Sequence, residues 1–392
     1  MNRLLIKNAN VITCADDGVV LENHCVLTEN ERIVEIVPMT NLEEPEESRV
    51  IDAEGKYLLP GLINCHEHIM ANPDDISSDP GTYEQALMYG AANALELLHR
   101  GFTTIRSMSD FWNGEILLRD QIETGKVKGP SLVVSGKGLT VTKGHLWLHL
   151  PCCDTLESAE NALQEQLKAG ADFIKIFLTG GVTTVGDADQ VGFREEVFCH
   201  LVNRSHEEGK KVAVHCIGRN GVLMAAKAGV DSIEHGSGLD EACIEAMLTH
   251  DIFLVPTLMP GYMNQISPKR ASLPEFVCRK SDEYLEKCRK AAMDARKAGI
   301  RIAMGTDGGA VNTPHTCGAL ELYLLHEIGF STAECLNAAT KNAAQLLGVE
   351  DDRGVLERGK RADMILVKED PRLNIETLQH VVSVIKNGHI VR

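Results

Sequence analysis

Between residues 58 and 305 the chain changes texture eight times, from a short apolar run to a helical stretch, and few folds can absorb that rhythm. The runs are LLPGLIN (58–64), FTTIR (102–106), SLVVS (131–135), DFIKIFL (172–178), KVAVH (211–215), DSIEH (231–235), IFLVP (252–256) and RIAMG (301–305). Amphipathic stretches such as 83–100, 158–170 and 279–299 stand between them. Strands alternating with helices predict an α/β fold in which each helix carries the chain back to start a parallel neighbour. An open sheet shares this periodicity, and the count of eight is what favours a (β/α)8 TIM barrel, which needs roughly 250 residues.

The two ends read differently. LLIKNANVIT, HCVLTEN and RIVEIVP near the start, and ADMILVKED and HVVSVIKNGHIVR near the end, alternate apolar with polar residues and are broken by turn-forming stretches. Segment 257–280, with Pro260, Gly261, Pro268 and Pro274, is the longest stretch without period and reads as a lid. No apolar run reaches the roughly 20 residues that span a bilayer, and the first residues lack the apolar core of a signal peptide, so a cytoplasmic protein with no membrane partner is expected. The 12 cysteines contain no CxxC pair and read as reduced thiols. A formal charge of −17 makes nucleic acid a poor partner and a small-molecule substrate the better expectation.

Six residues at the ends of these runs can bind metal or must be explained. His66 and His68 lie two apart in PGLINCHEH, and the two-residue period of a strand puts both imidazoles on one face, half of a metal site. Lys175 interrupts a strand that is otherwise apolar, where an unpaired ammonium is costly to bury; it either pairs with a carboxylate, reaches solvent, or is chemically neutralised. His215 and His235 each end a short apolar strand, and Asp307 follows the eighth. Any one of them alone is compatible with a structural role. Together they fall at the carboxyl ends of strands one, four, five, six and eight, which converge on one face of a barrel, the face where barrel active sites are built.

This pattern of HxH, Lys, His, His and Asp resembles the amidohydrolase superfamily, over nearly the whole chain. The segments KAGVDSIEHG, VPTL, GTDGG and ATKNAAQLLGVEDDRGVLERGKRADMILV are similar to its imidazolonepropionase-like branch, with prolidase-like dipeptidases of Xaa-Pro or Xaa-Arg type. The resemblance implies a small β-sandwich domain made by both termini (1–57 plus 358–392) on a barrel (58–357). It implies two divalent metal ions, read as zinc: His66, His68 and Asp307 on the more buried one, His215 and His235 on the outer, and Lys175 bridging them as a CO2-derived carbamate. A bridging hydroxide would then attack the carbonyl of a C–N amide bond, in a dipeptide or N-acyl amino acid, with Asp307 as general base and acid. Cyclic amides are the alternative substrates within this reading. A mononuclear deaminase is the alternative outside it, although His215 lacks the His-x-x-Glu shuttle that deaminases carry. Barrels of this family commonly assemble, so a homo-oligomer is expected.

Substrate contacts are less sharply written. His145, in TKGHLW, sits where dipeptidase-like members carry a substrate-binding Gly-His, and an ordinary loop histidine is the other reading; Leu146 and Trp147 replace the small residues usual there. Tyr262 is a candidate hydroxyl donor to a substrate carboxylate or a packed tyrosine, and Arg106 and Arg219 are carboxylate partners or structural ion pairs. Alternation turns Cys65, Cys216, Glu67 and Glu234 away from the metals, the thiols toward packing and the carboxylates toward supporting hydrogen bonds or helix-facing positions.

Overall fold

At Gly61 the chain passes from one kind of sheet to another, and only glycine fits, because a Cβ there would overlap the Thr103 side chain. The computed structural model describes residues 3–16, 18–42, 47–75 and 81–392. Before Gly61 come β1 (Arg3–Ile12), β2 (Val20–Glu29), β3 (Arg32–Pro38), β4 (Arg49–Asp52) and β5 (Tyr57–Pro60). After it come the strands β6 (Leu62–Glu67), β7 (Phe102–Ser107), β8 (Ser131–Val134), β9 (Ile174–Phe177), β10 (Val212–Ile217), β11 (Ser232–Ser237) and β12 (Phe253–Val255). The chain closes with β13 (Met364–Val367), β14 (Ser383–Lys386) and β15 (His389–Ile390).

Both chain ends share one eight-stranded sheet, in the order β15-β14-β13-β5-β1-β2-β3 with β4 also on β1. Residues 58–60, expected to open the first barrel strand, belong here: β5 runs parallel to β1 and antiparallel to β13, with Leu59 opposite Ile365. The bend at Gly61 is what separates them from β6. Leu4, Ile6, Val26, Leu58, Met364 and Ile385 form this sheet's own apolar core.

The remaining strands are parallel, as an α/β fold requires. β6-β7-β8 form one sheet and β9-β10-β11-β12 another. Backbone bridges cross between them at both edges: Leu139 to Ile176 on one side, Leu254 to Ile302 and Glu67 to Gly308 on the other. The expected eighth strand, 301–305, makes no regular ladder. Its Arg301 and Met304 carbonyls instead accept from Leu254 N at 3.0 Å and Cys65 N at 2.8 Å, placing it between β12 and β6.

Helices cover the parallel strands: α1 (Tyr83–His99), α2 (Gly114–Glu123), α3 (Leu156–Ala169), α4 (Glu195–Glu207), α5 (Arg219–Ala228), α6 (Glu241–Thr249), α7 (Met259–Ile266), α8 (Glu275–Ala298), α9 (Leu320–Glu327), α10 (Thr332–Ala338) and α11 (Lys341–Leu347). Capping boxes start α1 (Thr82, Gln85) and α3 (Thr155, Ser158), and left-handed glycines 170, 229, 299 and 348 stop α3, α5, α8 and α11. The stretch read as a lid is largely helical, holding α7 and the start of α8.

Candidate metal centre

The carboxyl ends of the parallel strands surround a cavity of about 460 Å³ lined by His66, His68, Lys175, His215, His235 and Asp307. Register accounts for part of this convergence. Lys175 on β9 pairs with Ala213 on β10, so His215, two residues on, lies one step above Lys175 on the same face. Glu234 on β11 pairs with His215 and shares that inward face, whereas His235 pairs with Cys216, which is buried against the helices. A regular strand would turn His235 away. Its φ of +71° swings the ring back into the cavity, so Glu234 and His235 both reach inward. Ser109, Thr257 and Asp307 around the same cavity also have positive φ, +95°, +49° and +53°. Non-glycine residues in that region cost of order 1–3 kcal/mol each and gather where function needs them.

The inward turn of Glu234 corrects the reading that alternation sends it away. Its Oε2 accepts from His66 Nδ1 at 2.8 Å, and its Oε1 accepts from Arg106 Nη2 at 2.8 Å and from Ser232. Burial opposes ionisation of this carboxyl, but Arg106 and His66 outweigh it and hold the pKa down to about 2. Arg106, 3% exposed, is thus a structural ion-pair residue that also donates to Cys65 O. Glu67 does face away from the cavity and is held by Asn64, Thr306 and His315.

These partners bear on which ring nitrogens are free. With Nδ1–H of His66 given to Glu234 and Nδ1–H of His68 given to Ser109 O (3.3 Å), both Nε2 atoms face Asp307 Oδ1, at 3.4 and 3.2 Å. His235 Nδ1 lies 2.7 Å from Thr257 Oγ1 and 3.1 Å from Tyr284 Oη. Thr257 Oγ1 and Tyr284 Oη also lie 2.7 Å from each other, and each has a backbone carbonyl to donate to, Pro256 O and Thr257 O, which leaves their lone pairs open to an Nδ1–H of His235. His215 Nε2–H donates to Gly180 O at 2.7 Å. In the tautomer in which His235 gives its Nδ1–H to Thr257 and Tyr284, His215 Nδ1 and His235 Nε2 present lone pairs to each other across 2.7 Å; in the other, His235 Nε2–H donates to His215 Nδ1. Burial keeps both rings neutral, far below the usual histidine range. In the first tautomer the facing acceptors repel, and a shared cation is the arrangement that such a donor set serves.

Lys175 is the second anomaly. It is 1% exposed, its Nζ has no hydrogen-bond partner among the described residues, and it lies 5.0 Å from the Phe177 ring centre. Burial lowers its pKa to about 8 despite the Glu234 and Asp307 carboxylates. Asp307 goes the other way: burial opposes its charge, yet the His66 and His68 rings hold its carboxyl well below the ordinary range. His66, His235 and Asp307 offer ligand atoms all within 4.8 Å of one another, a fit for a divalent ion.

Among the candidate substrate residues, His145 lines the cavity, its ring stacked on His215 at 4.8 Å and its Nδ1 2.6 Å from Thr184 Oγ1. Burial and the Lys175 charge lower its pKa to about 4. Tyr262 is not among the residues lining the cavity. On α7 that face is formed by Pro260, Gly261 and Asn264, and a residue one place past Gly261 is turned about 100° off it, against the core. Arg219, half exposed, pairs with Asp240 away from the cavity. The tyrosine at the centre is Tyr284, which no strand-end pattern points to because it comes from the middle of α8. Cys65 and Cys216 are buried in apolar clusters, as their alternation predicts.

Known proteins resemble this chain over most of its length. The Amidohydrolase family model matches residues 57–391. The chain is 30% identical to a Xaa-Pro dipeptidase solved with methionine bound in its active site, with 99% of both chains covered and a TM-score of 0.93. It is 26% identical to a prolidase complexed with N-methylphosphonate-L-proline, over the full length of both, with a TM-score of 0.92. Ochratoxinase from Aspergillus niger is 29% identical over 86% of this chain and 75% of that protein.

Proposed function

This chain belongs to the amidohydrolase family and is a hydrolase acting on carbon–nitrogen bonds; from that premise we propose a binuclear zinc centre that cleaves the amide bond of a dipeptide or N-acyl amino acid. The reading includes a closed (β/α)8 barrel up to residue 357, supported by the backbone bridges at both edges of the parallel sheets, and a small β-sandwich domain from the two ends of the chain. The barrel begins at residue 61, not 58, because 58–60 pair with β1 and β13. His66, His68 and Asp307 would hold one ion, His215 and His235 the other, and carboxylated Lys175 both. The convergence of all six side chains on one cavity, with His215 Nδ1 and His235 Nε2 only 2.7 Å apart, carries this reading.

Lys175 supports it independently. A pKa near 8 leaves a substantial neutral fraction of the amine near physiological pH, and neutral amine adds to CO2 to give a carbamate and one proton. That product replaces a stranded ammonium with an anionic group offering two oxygens. Two bound divalent ions would supply Lewis acidity, polarising a carbonyl and lowering the pKa of a water toward neutrality. The chain's own groups do the rest. Asp307, kept ionised by its two histidines, can take a proton from the attacking water and pass it to the departing amine. His145, neutral and tied to Thr184 through Nδ1, keeps Nε2 for a substrate carbonyl or carboxylate. Met70, Trp112, Leu146, Phe177 and Ile217 offer apolar contact to side chains flanking the scissile bond.

The test is to load purified protein with zinc under bicarbonate and screen dipeptides and N-acyl amino acids, assaying amine and ammonia separately. Two metals per chain and amine release are expected. Lys175→Ala should lose metal and nearly all turnover. Ammonia release from an amino-heterocycle would instead establish a deaminase, and a Lys175→Ala protein with two metals and full activity would remove the carbamate.

A further inference from the structure

A second cleft, of about 1050 Å³, opens at the amino-terminal ends of the parallel strands, where they meet β14 and β15. Seven of its lining residues are Arg or Lys and three are Asp or Glu, whereas the whole chain has 39 bases against 56 acids. Arg106 and Arg119 are neutralised by Glu234 and Asp172, which leaves Lys128, Lys211, Arg353, Arg361 and Lys386 against Glu31 and Glu123 on the lining, an excess opposite in sign to the molecule's.

Its cations are held close together. Arg353 Nη1 donates to Thr104 Oγ1 at 3.0 Å and Lys386 Nζ to Ser131 Oγ at 2.9 Å. Thr104 and Ser131 are register partners on β7 and β8, so a guanidinium and an ammonium are anchored on adjacent strands. Arg361 joins them through Asn387 Oδ1 at 3.1 Å. Lys211 donates only to the Gln345 and Leu346 carbonyls, at 3.0 and 2.6 Å, in the last turn of α11, and forms no ion pair among the described residues. Three carboxylates face these four cations and Arg32: Asp363 takes Lys386, Glu31 takes Arg361, and Asp352 is shared by Arg32, Arg353 and Arg361. Burial first, and then the charges of Arg353 and Arg361 against the pull of Asp363, lower the pKa of Lys386. A multivalent anion would replace that repulsion with charge-assisted hydrogen bonds.

We propose that this basal cleft binds a small multivalent oxyanion, a phosphate or a dicarboxylate, through Arg353, Lys386, Lys211 and the exposed Lys128. The site is separate from the metal centre and owes nothing to the catalytic reading. Calorimetric titration of the full chain with inorganic phosphate and, in parallel, succinate, at constant ionic strength set by NaCl, tests it. One-to-one binding with Kd below about 1 mM is expected for one of the two, and which one binds identifies the source. Arg353→Gln and Lys386→Gln should each weaken it about tenfold and leave amide hydrolysis unchanged, and Lys128→Ala, at the surface and harmless to folding, about threefold. Binding should persist in His66→Ala, which damages only the metal centre. No saturation by either anion, or binding that His66→Ala abolishes while the cleft variants keep it, overturns the proposal.

Discussion

At the scale of single residues, Glu234 has the widest influence. One carboxylate orients His66 and neutralises Arg106, both at 2.8 Å, so Glu234→Gln disturbs a metal ligand and strands a buried guanidinium together. Metal affinity is expected to fall about 10–100-fold, read as metal retained during dialysis against graded chelator. Stability in urea should drop by about 3–5 kcal/mol, the cost of leaving one partner of a buried pair alone. The six candidate ligands are legible because each lies in or just past a short apolar run. Alternation points Glu234 the wrong way because it holds only in a regular strand, and the left-handed turn at His235 suspends it. Tyr284 was missed for another reason: its partner His235 lies 49 residues away, and nothing in an amphipathic helix marks one buried tyrosine as polar support.

At the scale of elements, α7 is seated by a buried acid. Both carboxylate oxygens of Glu321 on α9 accept backbone N–H groups at the start of α7, from Leu258 and Met259 at 2.9 Å. Burial raises the Glu321 pKa from 4.5 to about 8, although those donors and their dipole pull the other way. A raised folded-state value means a contribution present below the unfolded pKa and lost as pH rises through the folded one. Thermal stability should accordingly decline between about pH 4.5 and 8, and Glu321→Gln should flatten that decline, as melting curves across the range will show. Helices and strands were mostly legible from their periods. The eighth strand was legible as an apolar run but not as a strand with bridges only, because its pairing depends on Gly305, where a Cβ would press on His66 Cβ at 2.6 Å. Such close passage belongs to the packed state and leaves no periodic trace.

At the scale of the whole molecule, Asp352 ties the terminal sheet to the rest. It receives Arg32 from β3 at 2.5 Å, Arg353 at 2.7 Å and Arg361 at 2.8 Å. Burial opposes its charge, yet the three arginines outweigh this and hold its pKa below the ordinary 3.8. Its stabilisation is then present at neutral pH and lost as pH falls through the acid range. Asp352→Asn should lower stability at pH 7 by about 1–3 kcal/mol and soften acid unfolding, both measurable by urea titration at pH 7 and pH 3.5. The shared sheet also bears on how the chain is made. β5 and β13 are neighbours, yet residues 61–363 separate them in synthesis, so at ~5–20 residues per second the β5 edge waits tens of seconds for its partner. During that interval an open strand edge beside buried-type side chains is exposed to every other nascent chain. A ribosome-bound intermediate lacking β13–β15 is thus the species in which a chaperone would find most to protect.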